Sequence, residues 1–208
     1  MTPILLNQLR SVISSSLISK FSKRFEESEI LLRKSIDTSI CTVLIGLNNT
    51  IDNLVLYDKM LESISNSKFY ESVEFENGKL LTINYCFEQD GFAPLNLIFR
   101  NKKGRISEMI SNEIGIKSET ASAILNFAVM MVLSYFKNEK QKVKAIQSSL
   151  NEEKNTILST VPEGIRVLLG YSNFICEEVD DIPNQLTTTS FTNKFLNKVL
   201  TIFKPLEI

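Results

Sequence analysis

The chain has 208 residues, 43% hydrophobic and 23% charged, with a formal net charge of −1. That is the make-up of a globular protein with a sizeable core, and no global field draws it to nucleic acid or an acidic membrane. Histidine is absent, which excludes Ser-His and Cys-His nucleophiles and His-containing zinc sites.

The three cysteines, Cys41, Cys86 and Cys176, stand far apart with no CxxC pair, so reduced thiols and a cytoplasmic location are expected. Charge is uneven along the chain. Residues 1–50 hold six basic and four acidic side chains, a net of +2, and residues 51–90 hold three basic and eight acidic, a net of −5.

The N-terminus has no compact apolar region and no Ala-x-Ala cleavage site, so it reads as a helix rather than a signal peptide. Thr2 and Pro3 make a helix start. Leu6, Leu9, Ile13, Leu17, Phe21 and Phe25 then recur at helical spacing, predicting one helix over 3–25. A second helix follows Ser28-Glu29. Leu32, Ile36, Ile40, Val43, Leu44 and Leu47 mark its buried side, and Gly46 is expected to weaken its end. Residues 50–65 predict a third helix with Asp52 in its first turn.

The texture changes over 69–87, where apolar residues alternate on either side of Asn77-Gly78. A small β-hairpin is expected there, resting on the helices. Beyond it, "PLNLIF" reads as a short helix, "NKKG" as a turn, and "RISEMISNEIG" as a helix stopped by Gly115. Residues 115–136 are the most apolar stretch. Thr120 to Phe136 is charge-free, about 26 Å of helix, short of the roughly 30 Å hydrocarbon layer. Ser122, Asn126 and Ser134 interrupt it, so a central core helix capped by Ser118 is expected, not a transmembrane span. Its face of Leu125, Val129, Val132, Leu133 and Phe136 should pack on the second helix. Three short helical pieces follow, with a break at Pro162 and Gly164 that turns Ile165, Leu168 and Leu169 onto the core.

Shifting the chain by 89 positions superposes the apolar patterns of 17–47 and 106–136, which suggests a degenerate helical repeat. Three stretches also resemble a family. "SKRFEESEILLRKSIDTSICTVLIGL" (22–47), "GIKSETASAILNFAVMMVL" (115–133) and "ILSTVPEGIRVLLG" (157–170) are similar to the bacterial domain of unknown function 937, the YidB-like group, in its Bacteroidetes-type form. The likeness spans about residues 1–170. It implies an all-helical fold and transfers no catalytic residue. The chain departs from the family pattern in having only seven glycines and in Cys41 and Met130, which stand where proline is frequent. The OmpA-type C-terminal domain of some relatives is not expected here.

The resulting expectation is an all-α, compact multi-helix domain over 1–170, with a small hairpin near 69–87. An acidic polar linker over 171–190 and an amphipathic helix over 191–208 should follow. "EEVDD" (177–181) lacks the spacing and turn glycine of a calcium loop and reads as linker. "RNKKGR" (100–105) and "KNEKQKVK" (137–144) lack interleaved aromatics, so no nucleic acid is expected. Glu26-Glu27 and Glu152-Glu153 read as first-turn helix acids, and Cys41 as an inert core thiol. No catalytic, cofactor-binding or metal-ligating residue stands out.

The candidate interaction face is Phe191, Phe195, Val199, Ile202 and Phe203 on the tail helix. Its open destinations are the chain's own core, a second copy and a membrane surface. The leading reading is a non-enzymatic module for protein–protein contact or self-assembly. Its alternatives are an envelope-associated protein and a small-molecule enzyme using carboxylates.

Overall fold

Serine and asparagine caps set the first helix boundaries. The computed structural model describes residues 4–76, 79–82, 85–138 and 142–174. Within them α1 (Ile4–Val12) and α2 (Ser15–Phe25) are separate helices. Ser14 is extended, and its Oγ accepts from the Leu17 N–H at 3.1 Å, which starts a new helix. The single helix expected over 3–25 is therefore two. Apolar spacing hid the break, because Leu6, Leu9, Leu17 and Phe21 are buried on both sides of it. Thr2 and Pro3 lie outside the described residues.

α3 (Glu29–Asn48) is capped by Ser28, and every residue of its expected buried side is buried. Gly46 does not weaken the helix end. A Cβ there would lie 2.5 Å from Ile98 Cγ2 and closer still to the Phe99 ring, so glycine is what lets a later helix press onto α3. α4 (Leu54–Ser65) starts at the Asn53 cap. Asp52 precedes it rather than lying in its first turn, and accepts from Gln147 Nε2 at 2.7 Å.

α5 (Lys68–Ser72) follows the Ser67 cap. β1 (Glu74–Glu76) and β2 (Lys79–Thr82) then pair antiparallel, with Phe75 opposite Leu80. The pairing is much shorter than the 69–87 run, and Asn77-Gly78 lies outside the described residues. The ends of that run are helical. Phe69 belongs to α5, and Phe87 opens α6 (Phe87–Asp90). Both rings are fully buried with Phe21 and Phe127, at centroid separations of 5.1 to 6.4 Å. Burial of large aromatic rings outweighed the local alternation that suggested strand.

α7 (Phe92–Phe99) carries Pro94 in its first turn. A 3-10 turn at Arg100–Lys102 leads into α8 (Lys103–Ile114), so Gly104 is helical and not part of a turn. α8 ends at Gly115, left-handed with φ 78°, as expected of a glycine stop. α9 (Ser118–Asn138) begins at Ser118, which is its first residue rather than its cap; the Ala121 N–H reaches back to the Lys117 carbonyl.

By length and apolarity α9 is able to cross a membrane, but 89% of its apolar window is buried by neighbouring elements. It lies most extensively along α3 and also touches α4, α5, α6, α7 and α8. Leu125, Val129, Val132, Leu133 and Phe136 are all inaccessible. The chain is thus an all-α, compact domain in its described part, with α9 at its centre. α10 (Val143–Glu152), α11 (Lys154–Thr160) and α12 (Glu163–Leu168) complete it. Pro162 occupies the cap position of α12 at φ −53°, ψ 145°, and Ile165 turns into the core. The acidic stretch 177–181 and the helix expected over 191–208 lie outside the described residues.

The α2–α3 and α8–α9 corners share their local geometry. Glu26 and Gly115, 89 positions apart, are both left-handed, at φ 55° and φ 78°. Ser22 Oγ donates to the Glu27 carbonyl at 2.7 Å, and Ser111 Oγ donates to the Ile116 carbonyl at 2.7 Å. The corners also touch: the Lys117 N–H donates to Glu27 Oε1 at 2.8 Å.

Candidate functional site

Among the clefts of the described residues, two are lined by side chains suited to binding. The first lies along α1 and α3. Its apolar wall is Ile13, Ile36 and Ile40, its charged rim is Arg10, Arg33, Lys34 and Asp37, and its volume is about 350 Å³. Arg10 meets Asp37 through two bonds, Nε to Oδ1 at 2.6 Å and Nη2 to Oδ2 at 2.8 Å. That fork holds the Arg10 guanidinium pKa above its ordinary value, against the effect of partial burial. Arg33 Nη2 donates to Ser15 Oγ at 3.1 Å, and Lys34 is exposed. Three cations against one carboxylate leave the rim at +2, over an apolar floor.

Cys41, one residue past Ile40, is not a nucleophile for this cleft. It is fully buried. Burial, with a smaller push from Asp37, raises its thiol pKa to about 12, so it keeps its proton. The reading of an inert core thiol agrees with this environment.

The second cleft runs between α6, α8 and the first turns of α9, with a volume of about 440 Å³. Glu88, Glu108, Glu119 and Asn126 supply its polar wall. Arg24 crosses beside it. Its Nη2 lies 2.6 Å from Glu88 Oε1, and its guanidinium carbon lies 4.1 Å from the centre of the Tyr85 ring.

Three cations of the basic runs contact other parts of the fold. Lys102 Nζ donates to the Leu168 carbonyl at 2.8 Å. Lys103 Nζ lies 4.1 Å from the centre of the Phe92 ring, and burial lowers its ammonium pKa. Lys137 caps the Tyr70 ring at 4.3 Å and donates to Ser65 Oγ. Each of these three cations has a contact among the described residues, while Arg100, Arg105, Lys142 and Lys144 are exposed. No group of acids or cysteines among the described residues is arranged to hold a metal ion.

Two acids expected in first helical turns do something else. Glu153, at the α10–α11 junction, is buried and accepts from the N–H groups of Leu5 and Leu6, at 2.6 and 2.9 Å. It caps α1 from the far end of the sequence. Glu27 in the same way meets the start of α9. Sequence reasoning missed the Arg10–Asp37 fork and both acid caps. The partners are 27, 148 and 90 positions apart, and no local pattern links them. The face of Phe191, Phe195, Val199, Ile202 and Phe203 lies outside the described residues.

The pattern of a bacterial protein family of unknown function, DUF937, matches residues 7–138. That stretch is well over half of the chain and runs from α1 to the end of α9, short of the third resembling stretch at 157–170. No curated protein and no solved structure matches.

Proposed function

Because the chain belongs to the DUF937 family of bacterial proteins of unknown function, we propose its role from its surface. It is a non-enzymatic helical module for protein–protein contact, and its α1–α3 cleft takes an acidic, amphipathic segment of a partner. The observation that carries this reading is the cleft itself. Half-buried Ile13 offers an apolar contact over the buried Ile36 and Ile40, while Arg33 and Lys34 offer charge that no carboxylate among the described residues neutralises. An amphipathic segment fills the first and pairs with the second. The buried Cys41 thiol and the lack of histidine argue against a nucleophilic reaction at the same place.

The test is fluorescence anisotropy with a labelled acidic amphipathic peptide and a basic peptide of the same apolar pattern. The acidic peptide should bind saturably and weaken as salt rises. Arg33→Glu with Lys34→Glu should reduce its affinity by more than about tenfold. Equal binding of both peptides, or none, would overturn the reading.

Two finer statements belong with this proposal. We place the chain in the YidB-like, Bacteroidetes-type branch of its family on the three stretches quoted above. We also read the two corners as degenerate copies of one unit, supported by their shared left-handed stop and serine bond at an offset of 89. A cytoplasmic location is proposed on the cysteine pattern, and cell fractionation tests it.

A further inference from the structure

One turn of α3 before the α1–α3 cleft extends its face. Ile30 stands three and four positions before Arg33 and Lys34, so the three side chains are neighbours on one side of the helix. Ile30 is 80% exposed, and Arg33 and Lys34 are exposed as well. Ile30 and half-buried Ile13 thus put apolar surface beside two cations that form no ion pair among the described residues.

α4 carries the complementary face. Tyr57, Met60 and Ile64 turn its inner side onto the core. On its outer side Leu54 is 56% exposed and Val55 67% exposed, and Asp58, Lys59 and Glu62 are exposed after them. Val55, Asp58, Lys59 and Glu62 recur at helical spacing and form one stripe, with Leu54 a turn from Asp58. Asp58 and Glu62 form no ion pair among the described residues, and four positions apart they repel each other. The outer side of α4 is therefore an acidic, amphipathic segment already held as a helix.

These two faces hold most of the exposed apolar side chains. Five large hydrophobic residues are exposed among the described residues, and Ile30, Leu54 and Val55 are three of them. A fourth, Phe92, lies under the Lys103 ammonium.

Charge decides which face meets which. Arg10, Arg33 and Lys34 against Asp37 leave the cleft rim at +2, so two clefts repel each other, and two α4 faces set acids against acids. The cleft against α4 instead brings Arg33 and Lys34 to Asp58 and Glu62, and lays Leu54 and Val55 over Ile30 and Ile13. Lys59, the one cation of the stripe, is long enough to keep its ammonium in water at the rim. The two faces share no residue, so their contact is heterologous and every copy offers one face of each kind.

We propose that the occupant of the α1–α3 cleft is α4 of a second copy of this chain. This rests on the acidic-segment reading above and names the segment.

Sedimentation velocity of the full chain at low salt, at rising concentration to about 1 mM, tests it. Association that weakens as salt rises is expected. Arg33→Glu with Lys34→Glu, and separately Asp58→Lys with Glu62→Lys, should each weaken it by more than about tenfold. All four positions are exposed, and circular dichroism checks each fold. Mixed together, the two variants supply one intact cleft and one intact α4, and should form a one-to-one pair. The chain with all four substitutions has both faces reversed and should associate again, a gain that misfolding does not produce. Gln substitution of the acids at 177, 178, 180 and 181 should leave association unchanged. A native chain that stays monomeric throughout would overturn the proposal. So would association that survives either pair of substitutions, a mixture that does not pair, a fourfold variant that stays monomeric, or association lost with the acids at 177–181. A monomer that still binds the acidic peptide would remove α4 as the occupant and leave the cleft reading standing. Absence of both would remove both.

Discussion

Cys41 and Glu26 show how much one position depends on its surroundings. Desolvation penalises the Cys41 thiolate, so the folded state keeps the proton that the unfolded state loses near pH 9. The stability this contributes is complete below pH about 9 and is lost as the pH rises toward about 12. Tyr57, also raised to about 12 by burial and then by Asp58, acts over the upper part of that window, from about pH 10. Cys41→Val should therefore lose less stability than the native chain between pH 9 and 11, in denaturant titrations at each pH. The native thiol should also resist iodoacetamide at pH 8 until the chain unfolds. Rapid alkylation of folded protein would show that the site opens. Glu26 is the opposite kind of position, exposed but left-handed at φ 55°. Glycine adopts that conformation without strain, and the equivalent corner has Gly115. Glu26→Gly should stabilise the chain by about 0.5–1 kcal/mol. Its ion pair with Lys117 is exposed at 3.3 Å and offsets little of this. Thermal melting at equal concentration decides, and a lower melting temperature would contradict the strain argument.

The helices were legible wherever one face carried the signal. The Ser28 cap, the apolar side of α3, the Gly115 stop and the Pro162 break all follow from local chemistry, and each stands in the structure. What failed was what local pattern does not encode. The Ser14 break lies inside an unbroken apolar period. Phe69 and Phe87 alternate like strand residues, yet each is claimed by an aromatic cluster assembled from Phe21 and Phe127. Gly46 looked like a weak helix end because its reason lies in another element, α7. The clefts were less legible still, since Arg10 finds Asp37, and Asn126 finds Glu88, only after the helices pack. Two predictions belong here. Gly46→Ala should destabilise by about 1–3 kcal/mol, because Ile98 and Phe99 must move away from α3. A melting temperature equal to the native value would mean the crossing is looser than drawn. Glu153→Ala should cost about 1–3 kcal/mol, since it leaves the Leu5 and Leu6 N–H groups without their acceptor. Hydrogen exchange should then quicken first in α1. Unchanged protection of residues 4–12 would show that α1 does not depend on this cap.

α9 governs how the described part should unfold. It touches α3, α4, α5, α6, α7 and α8, so no large group of those helices keeps a core without it. Loss of its packing should therefore be global. Amide exchange should be slowest in α3 and α9, with a single thermal transition for residues 4–174. Val132 is the sharpest probe, being fully buried in the middle of α9. Val132→Asp places a carboxylate there with no counter-charge, and either its ionised form or its forced protonation costs several kcal/mol. A domain of ordinary stability holds only about 5–15 kcal/mol in reserve, so the variant should melt far lower or fail to fold. Val132→Ala separates charge from packing. It removes two methyl groups and should cost only about 1–3 kcal/mol, leaving one sharp transition at a lower temperature. If the aspartate variant melted like the native chain, α9 could not be the buried centre. If the alanine variant showed two transitions, the helices around α9 would hold separate cores, and the single-unit account of residues 4–174 would fall.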